Sequence, residues 1–204
     1  MSATAVAAYR SRIIEICEMI IRSYRSMDGV AEQSGNRVVH LHAGEMLFGR
    51  GSREIRTLLG SCISIVLWHP KLRHCGICHF ALPEHPNGVT GKLDARYGDH
   101  CIELFRHFAN GRHTELSEYQ AKIFGGGNLL SQFKPPFDWS ESDAQLERIS
   151  VGEKNAAAAF SLLMSNHVRI LVADVGEQCY RRLVLDTRSG DVWVQHHYVG
   201  GKVS

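Results

Sequence analysis

Between residues 38 and 80 the chain alternates short apolar runs with turn residues. "VVHLH" at 38–42 alternates apolar and polar positions, "EMLF" follows Gly44, and "EIRTLLG" leads into "SCISIVLW". A period of two predicts strands with one covered face. Ile63 to Trp68 is almost wholly apolar, the pattern of a strand covered on both faces. His69 and Pro70 end that run. "CGICHFAL" is the next strand, and the short connection "HPKLRH" between the two predicts a hairpin.

Longer periods appear on either side. Residues 4–26 place Ile13, Ile14, Cys17, Ile20 and Ile21 on one face and arginines on the other, which predicts an amphipathic helix. Residues 27–37 carry turn and polar types and read as a linker. Tyr97, Cys101, Leu104, Phe105 and Phe108 recur at helical spacing and predict a helix over 91–110. "AKIFGGG" is a strand ending in a glycine turn, and 130–148, with Pro135 and Pro136, is a polar loop. "VGEKNAAAAFSLLMSN" is a strong helix because its four consecutive alanines have the best intrinsic propensity. "VRILVADV" predicts another buried strand, and "RRLVLDTRSGDVWVQHHYV" a hairpin turning at Ser189–Gly190. Strands dominate, with about two helices in the core, so the class is α/β or α+β. The chain divides into an N-terminal helical extension with linker, 1–37, and a main domain, 38–204. No internal repeat is visible.

Composition narrows the partners. The 204 residues suffice for one domain with an appendage; 44% are apolar and 22% charged. A formal net charge of +2, with scattered basic residues, argues against a nucleic-acid-binding surface. Arg10, Arg12, Glu15 and Glu18 interrupt the first apolar stretch, so no signal peptide or membrane span is expected. The six cysteines follow no disulfide framework. A cytoplasmic protein with reduced thiols and no membrane insertion is the expectation.

Two stretches carry candidate chemistry. "HCGICHF" at 74–80 contains Cys75-Gly76-Ile77-Cys78-His79, a literal match to the c-type haem attachment pattern, and His74, Cys75, Cys78 and His79 are all zinc-ligand types. In a strand, however, Cys75, Ile77 and His79 face one way and His74, Gly76, Cys78 and Phe80 the other, so the four donors split two and two. No second pair follows at finger-like distance, and haem attachment requires export in bacteria. No metal and no cofactor are expected.

Cys62, in "LLGSC", follows a Gly60–Ser61 turn and precedes the most apolar strand. Such a turn frees backbone N–H groups that can stabilise a thiolate and an oxyanion. A cysteine nucleophile also needs a histidine base held in one tautomer. Hairpin pairing can bring His79 beside Cys62. Taken alone, Cys62 reads more readily as a small buried apolar residue, the usual fate of a free cysteine.

Several ordered motifs bear on that choice. "LHAGEMLFGRGSREIRTLLGSCISIVLWHPKLRHCGICHFALPEH" contains H-x-G-E, I-R-T-x-L-G-S-C, an apolar strand and G-x-x-H-x-x-L-P. "ARYGD" at 95–99, "AKIFGGGN" at 121–128, "ISVGEKN" at 149–155 and "ADVGE" at 173–177 follow in order. From about His40 to about Val199 the chain resembles the CheD chemoreceptor glutamine deamidases. The resemblance implies a β-sandwich flanked by helices, similar to the catalytic domain of cytotoxic necrotizing factor, here with an extra N-terminal helix. It implies papain-type thiol chemistry, with the cysteine at Cys62, the histidine at His79 and an upstream threonine at Thr57. Backbone N–H groups of the Gly60–Ser61–Cys62 turn would bind the oxyanion. The implied reaction converts receptor glutamines to glutamate with release of ammonia, in support of chemotactic adaptation. Methyl-accepting chemotaxis receptors and a CheC-type phosphatase are the implied partners. The alternative is a non-catalytic adaptor that binds them. The family more often has a second glycine where this chain has Glu177–Gln178.

Overall fold

The computed structural model describes residues 24–26, 37–128 and 149–198. In chain order the strands are β1 (Tyr24–Ser26), β2 (Arg37–His40), β3 (Glu45–Gly49), β4 (Arg53–Leu59), β5 (Ile63–Trp68) and β6 (Cys75–Phe80). Helix α1 (Gly98–Asn110), a 3-10 turn (Leu116–Glu118), β7 (Gln120–Gly125), α2 (Val151–Ser165), β8 (Arg169–Val175), β9 (Cys179–Asp186) and β10 (Val192–Tyr198) follow. They form a six-stranded sheet of order β1-β3-β6-β5-β7-β8 and a four-stranded sheet of order β10-β9-β4-β2. The class is mixed α+β, dominated by sheet, and neither sheet closes on itself.

Burial explains the layering. The six-stranded sheet lies in the middle, covered on both faces, which is why β5 and β6 are nearly all buried. Ile63, Ile65, Leu67, Cys78 and Phe80 pack against Cys101, Leu104 and Phe105 of α1 and Ala159 and Leu163 of α2. Val66, Cys75 and Ile77 point the other way, onto Ile55, Leu59, Leu183 and Leu185 of the four-stranded sheet. β4 therefore alternates, with Ile55, Thr57 and Leu59 facing inward and Arg56 and Leu58 outward. The paired cysteines divide between the two cores as strand alternation requires.

α2 begins with a capping box. Ser150 Oγ accepts from Glu153 N–H at 3.2 Å, and the Glu153 carboxylate accepts from Ser150 N–H at 2.7 Å. Small residues on its buried side, Gly152, Asn155 and Ala159, let the helix lie close on the sheet.

The β5–β6 and β9–β10 hairpins form where the sequence predicts them. Three expectations are corrected. Tyr24–Ser26, read as the end of a helix over 4–26, is a strand paired in parallel with β3; the rest of that segment lies outside the described residues. The helix read over 91–110 begins only at Gly98. The segment before it is tied instead by bridges of Ala95 to Gly44 and Tyr97 to Leu82. β8, read as buried, is the outermost strand, with Leu171 and Val172 exposed. An apolar run does not reveal whether its strand lies inside a sheet or at its edge. Most of the linker read at 27–37 and the whole loop read at 130–148 also lie outside the described residues.

Candidate functional site

The described parts of the separate motifs converge at one end of the two sheets. β4 runs into Gly60, Ser61 and Cys62, and then into β5. The β5–β6 ladder pairs Ile63 with Phe80 and Ser64 with His79. One step before the ladder begins, alternation puts Cys62 on the same face as Ser64. Cys62 packs at the edge of the cluster between the sheets, on the side of the six-stranded sheet where strand alternation also puts His79. The hairpin brings together two residues that stand seventeen apart in sequence.

Thr57 completes the arrangement from the facing sheet. Its Oγ1 lies 2.9 Å from His79 Nδ1 and donates to the Leu41 carbonyl at 2.8 Å. A hydroxyl has one proton, and a carbonyl can only accept. With that proton given to Leu41, Thr57 Oγ1 must accept from His79 Nδ1–H. This assignment puts the neutral ring's lone pair on Nε2. His79 Nε2 is buried and has no partner among the described residues. It is a free acceptor on the face shared with Cys62.

Electrostatics favour two neutral groups at rest. Burial drives the His79 pKa down from 6.5 to about 4; the Leu41 carbonyl opposes this, His42 adds to it and Glu45 opposes it. Burial also raises the half-buried Cys62 thiol, against a smaller opposing effect of its own backbone N–H. The resting site is thus a thiol beside a neutral imidazole rather than an ion pair. A base of this kind takes the thiol proton as the sulfur attacks.

The turn that carries Cys62 is held from behind by glycines. Gly127 N–H donates to Gly60 O at 2.7 Å and Gly126 N–H to Cys62 O at 2.8 Å. A Cβ on Gly125, at φ +114°, would collide with the Cys62 carbonyl. The far side of the glycine run is tied to the 176–177 turn, through Gly176 N–H to Gly125 O at 2.9 Å and Asn128 N–H to Glu177 O at 2.8 Å. The fully buried Arg181 fixes that turn: its Nη1 donates to Gly176 O and its Nε to Asp174, both at 2.9 Å. Glu177 holds a left-handed φ of +60°, a conformation that glycine adopts at less cost. Among the described residues, Ser61 and Cys62 N–H groups donate to no carbonyl, so both are free to meet an oxyanion.

Other predicted residues fall elsewhere. Cys75 and Cys78 are wholly buried on opposite faces of β6, and burial pushes the Cys75 thiol up to about 12. Among the described residues, no three His, Cys, Asp or Glu side chains converge as a metal site. A groove of about 660 Å³ crosses the outer face of the four-stranded sheet, from His42 and Leu41 to Trp193. Leu41 and Thr57, which hold His79, are among its lining residues. Sequence reasoning missed the Leu41 carbonyl, whose role no residue type signals. It also assigned no task to Asn155, whose polarity on the sheet-facing side of an alanine-rich helix was a visible sign.

Comparison with known proteins gives a consistent result. The family model described as CheD chemotactic sensory transduction matches residues 81–196. The probable chemoreceptor glutamine deamidase CheD 3 of Dechloromonas aromatica (strain RCB) is 40% identical over 156 residues, covering 76% of this chain and 85% of its own. The probable chemoreceptor glutamine deamidase CheD of Pseudomonas syringae pv. tomato is 35% identical, covering 76% of this chain and 87% of its own. That of Pseudomonas syringae pv. syringae is 38% identical over 170 residues, 82% of this chain and 86% of its own.

Proposed function

The chain belongs to the CheD family, and from that premise we propose that it hydrolyses glutamine side chains of chemotaxis receptors to glutamate, with Cys62 as nucleophile. The observation that carries this reading is the Leu41–Thr57–His79 relay, which leaves an unpartnered imidazole nitrogen facing Cys62.

The sulfur of Cys62 attacks the side-chain amide carbon as His79 Nε2 takes the thiol proton. The carbonyl π electrons move to oxygen, and the oxyanion meets the Ser61 and Cys62 N–H groups of the turn that starts at Gly60. The imidazolium formed is held by Thr57 through Nδ1–H. It returns a proton to the leaving nitrogen; the C–N bond breaks, ammonia leaves and a thioester remains. His79 then takes a proton from water, the hydroxide adds to the thioester, and collapse gives glutamate and the free thiol. General acid–base help of this kind is worth roughly 10²–10⁴-fold. The same steps would open a glutamate methyl ester.

This proposal places the enzyme in the cytoplasm with the signalling portions of its receptors. Among the described residues no helix is long and apolar enough to cross a membrane, and the five described cysteines are free thiols. It also includes a fold likeness to the catalytic domain of cytotoxic necrotizing factor. A second output, docking to a CheC-type phosphatase, is favoured by the outer face of the four-stranded sheet, where Leu58 and Trp193 are exposed beside Arg56 and Arg182. Incubating the purified chain with receptor cytoplasmic fragments and mapping peptides by mass spectrometry tests the reading. Specific glutamines should become glutamate with the native chain and stay intact with Cys62→Ala. Binding without conversion would leave the adaptor.

A further inference from the structure

Asn155 is wholly buried on the side of α2 that faces the six-stranded sheet. Its Nδ2 donates to two carbonyls, Ser61 O and Ala81 O, each at 2.9 Å. Its Oδ1 is buried and has no partner among the described residues. A buried acceptor without a partner is destabilising. What the side chain contributes is its two donors.

The place of those bonds gives them a purpose. The β5–β6 ladder ends at Ile63 and Phe80. At the next step the strands part: Cys62 O accepts from Gly126, and Ala81 N–H donates to Arg96 O at 3.0 Å. Here the nucleophile's turn leaves the strand that carries the base. Asn155 rejoins the two with one N–H to each side. The Ser61 carbonyl and the Cys62 N–H also belong to one planar trans peptide and point in opposite directions. Holding Ser61 O toward the helix turns the Cys62 N–H toward the opposite side, where the thiol lies.

From this geometry we infer that Asn155 is a positioning residue for the deamidation, setting the Cys62 turn against His79 and aiming the Cys62 N–H at the oxyanion. The inference rests on the catalytic reading of Cys62 and His79 given above. Leucine at 155 keeps the volume and removes both donors, whereas serine keeps one. Asn155→Leu should lower kcat about tenfold or more with KM changed less than about twofold, since small misplacements of reacting groups have effects of this size. Asn155→Ser should fall between the variant and the native chain.

A second readout needs no receptor: the rate of Cys62 alkylation by iodoacetamide at neutral pH, in the native chain, Asn155→Leu, His79→Ala and the double variant. If Asn155 acts by setting Cys62 against His79, its replacement should slow the native chain but add nothing once His79 is gone. A folded Asn155→Leu with native kcat, a change in KM alone, or equal slowing with and without His79 would each overturn the inference. Should Asn155→Leu fail to fold, native kcat in Asn155→Ser would overturn it. Should the native chain release no ammonia from any receptor fragment, the deamidase reading fails by itself, and the alkylation cycle still decides the placement.

Discussion

Replacing Thr57 by valine perturbs the relay with almost no change in shape. Thr57 is 7% exposed, accepts from His79 Nδ1–H at 2.9 Å and donates to Leu41 O at 2.8 Å. Valine removes both bonds and leaves two buried polar groups without their partner. At about 1–3 kcal/mol for each group left unpaired, the fold should lose about 2–6 kcal/mol, which lowers Tm by about 4–24 °C in a domain of this size. Catalysis should also suffer, because the Nδ1–H bond is made to a charged ring during attack. Hydrogen bonds to charged groups are worth about 1.5–3 kcal/mol, so kcat should fall about 10- to 100-fold with KM nearly unchanged. The assay is ammonia release from a receptor fragment, coupled to glutamate dehydrogenase and run well below the variant's Tm. Thr57→Ser keeps the oxygen and its proton and should recover most of the rate. Native kcat in Thr57→Val would refute the tautomer argument. A Thr57→Ser as slow as the valine variant would assign the loss to methyl packing instead.

The depressed His79 pKa of about 4 sets the acid limb of kcat/KM. Activity should hold down to about pH 5, and a limb near the ordinary histidine value would contradict the burial of the ring. The same shift affects stability. The unfolded ring binds its proton near 6.5 and the folded ring near 4, so about 3 kcal/mol is present above pH 6.5 and lost as pH falls toward 4, measurable by denaturant titration across that window. Iodoacetamide should label Cys62 before Cys75, Cys78, Cys101 or Cys179, since of these five only Cys62 is partly exposed, and peptide mapping of the alkylated chain reads the order. Gly125→Ala forces a Cβ into the Cys62 carbonyl at a left-handed φ. It should reduce kcat as well as Tm, whereas Gly88→Ala, at a positive φ in open space, should cost stability alone.

Much of this site was legible because two simple periods carry it. Alternation on β4 puts Thr57 in line with Ile55 and Leu59, a polar residue at an inward position, and the hairpin pattern sets His79 opposite Ser64, two residues from Cys62. The same alternation separates Cys75 from Cys78 and dissolves the apparent ligand cluster. What stayed hidden depends on non-local pairing or on the backbone. β8 has the composition of an interior strand, and only the sheet order shows that it is at the edge. The start of α1 is set by the Gly98 N–H donating to Leu82 O, a contact across the loop that helical spacing ignores. The Leu41 carbonyl fixes the His79 tautomer, yet any residue at 41 would carry that oxygen. Asn155 shows in sequence as a polar residue on a sheet-facing helix position, but its two acceptors lie 94 and 74 residues away.

The central claim is that Cys62, and neither cysteine of the 74–80 stretch, carries the chemistry. Ammonia release from one receptor fragment, measured in parallel for Cys62→Ala, Cys75→Ala and Cys78→Ala, tests it most directly. No release above background is expected from Cys62→Ala, and most of the native rate from each of the other two once folded. Residual turnover in Cys62→Ala, or equal loss in all three, would contradict it.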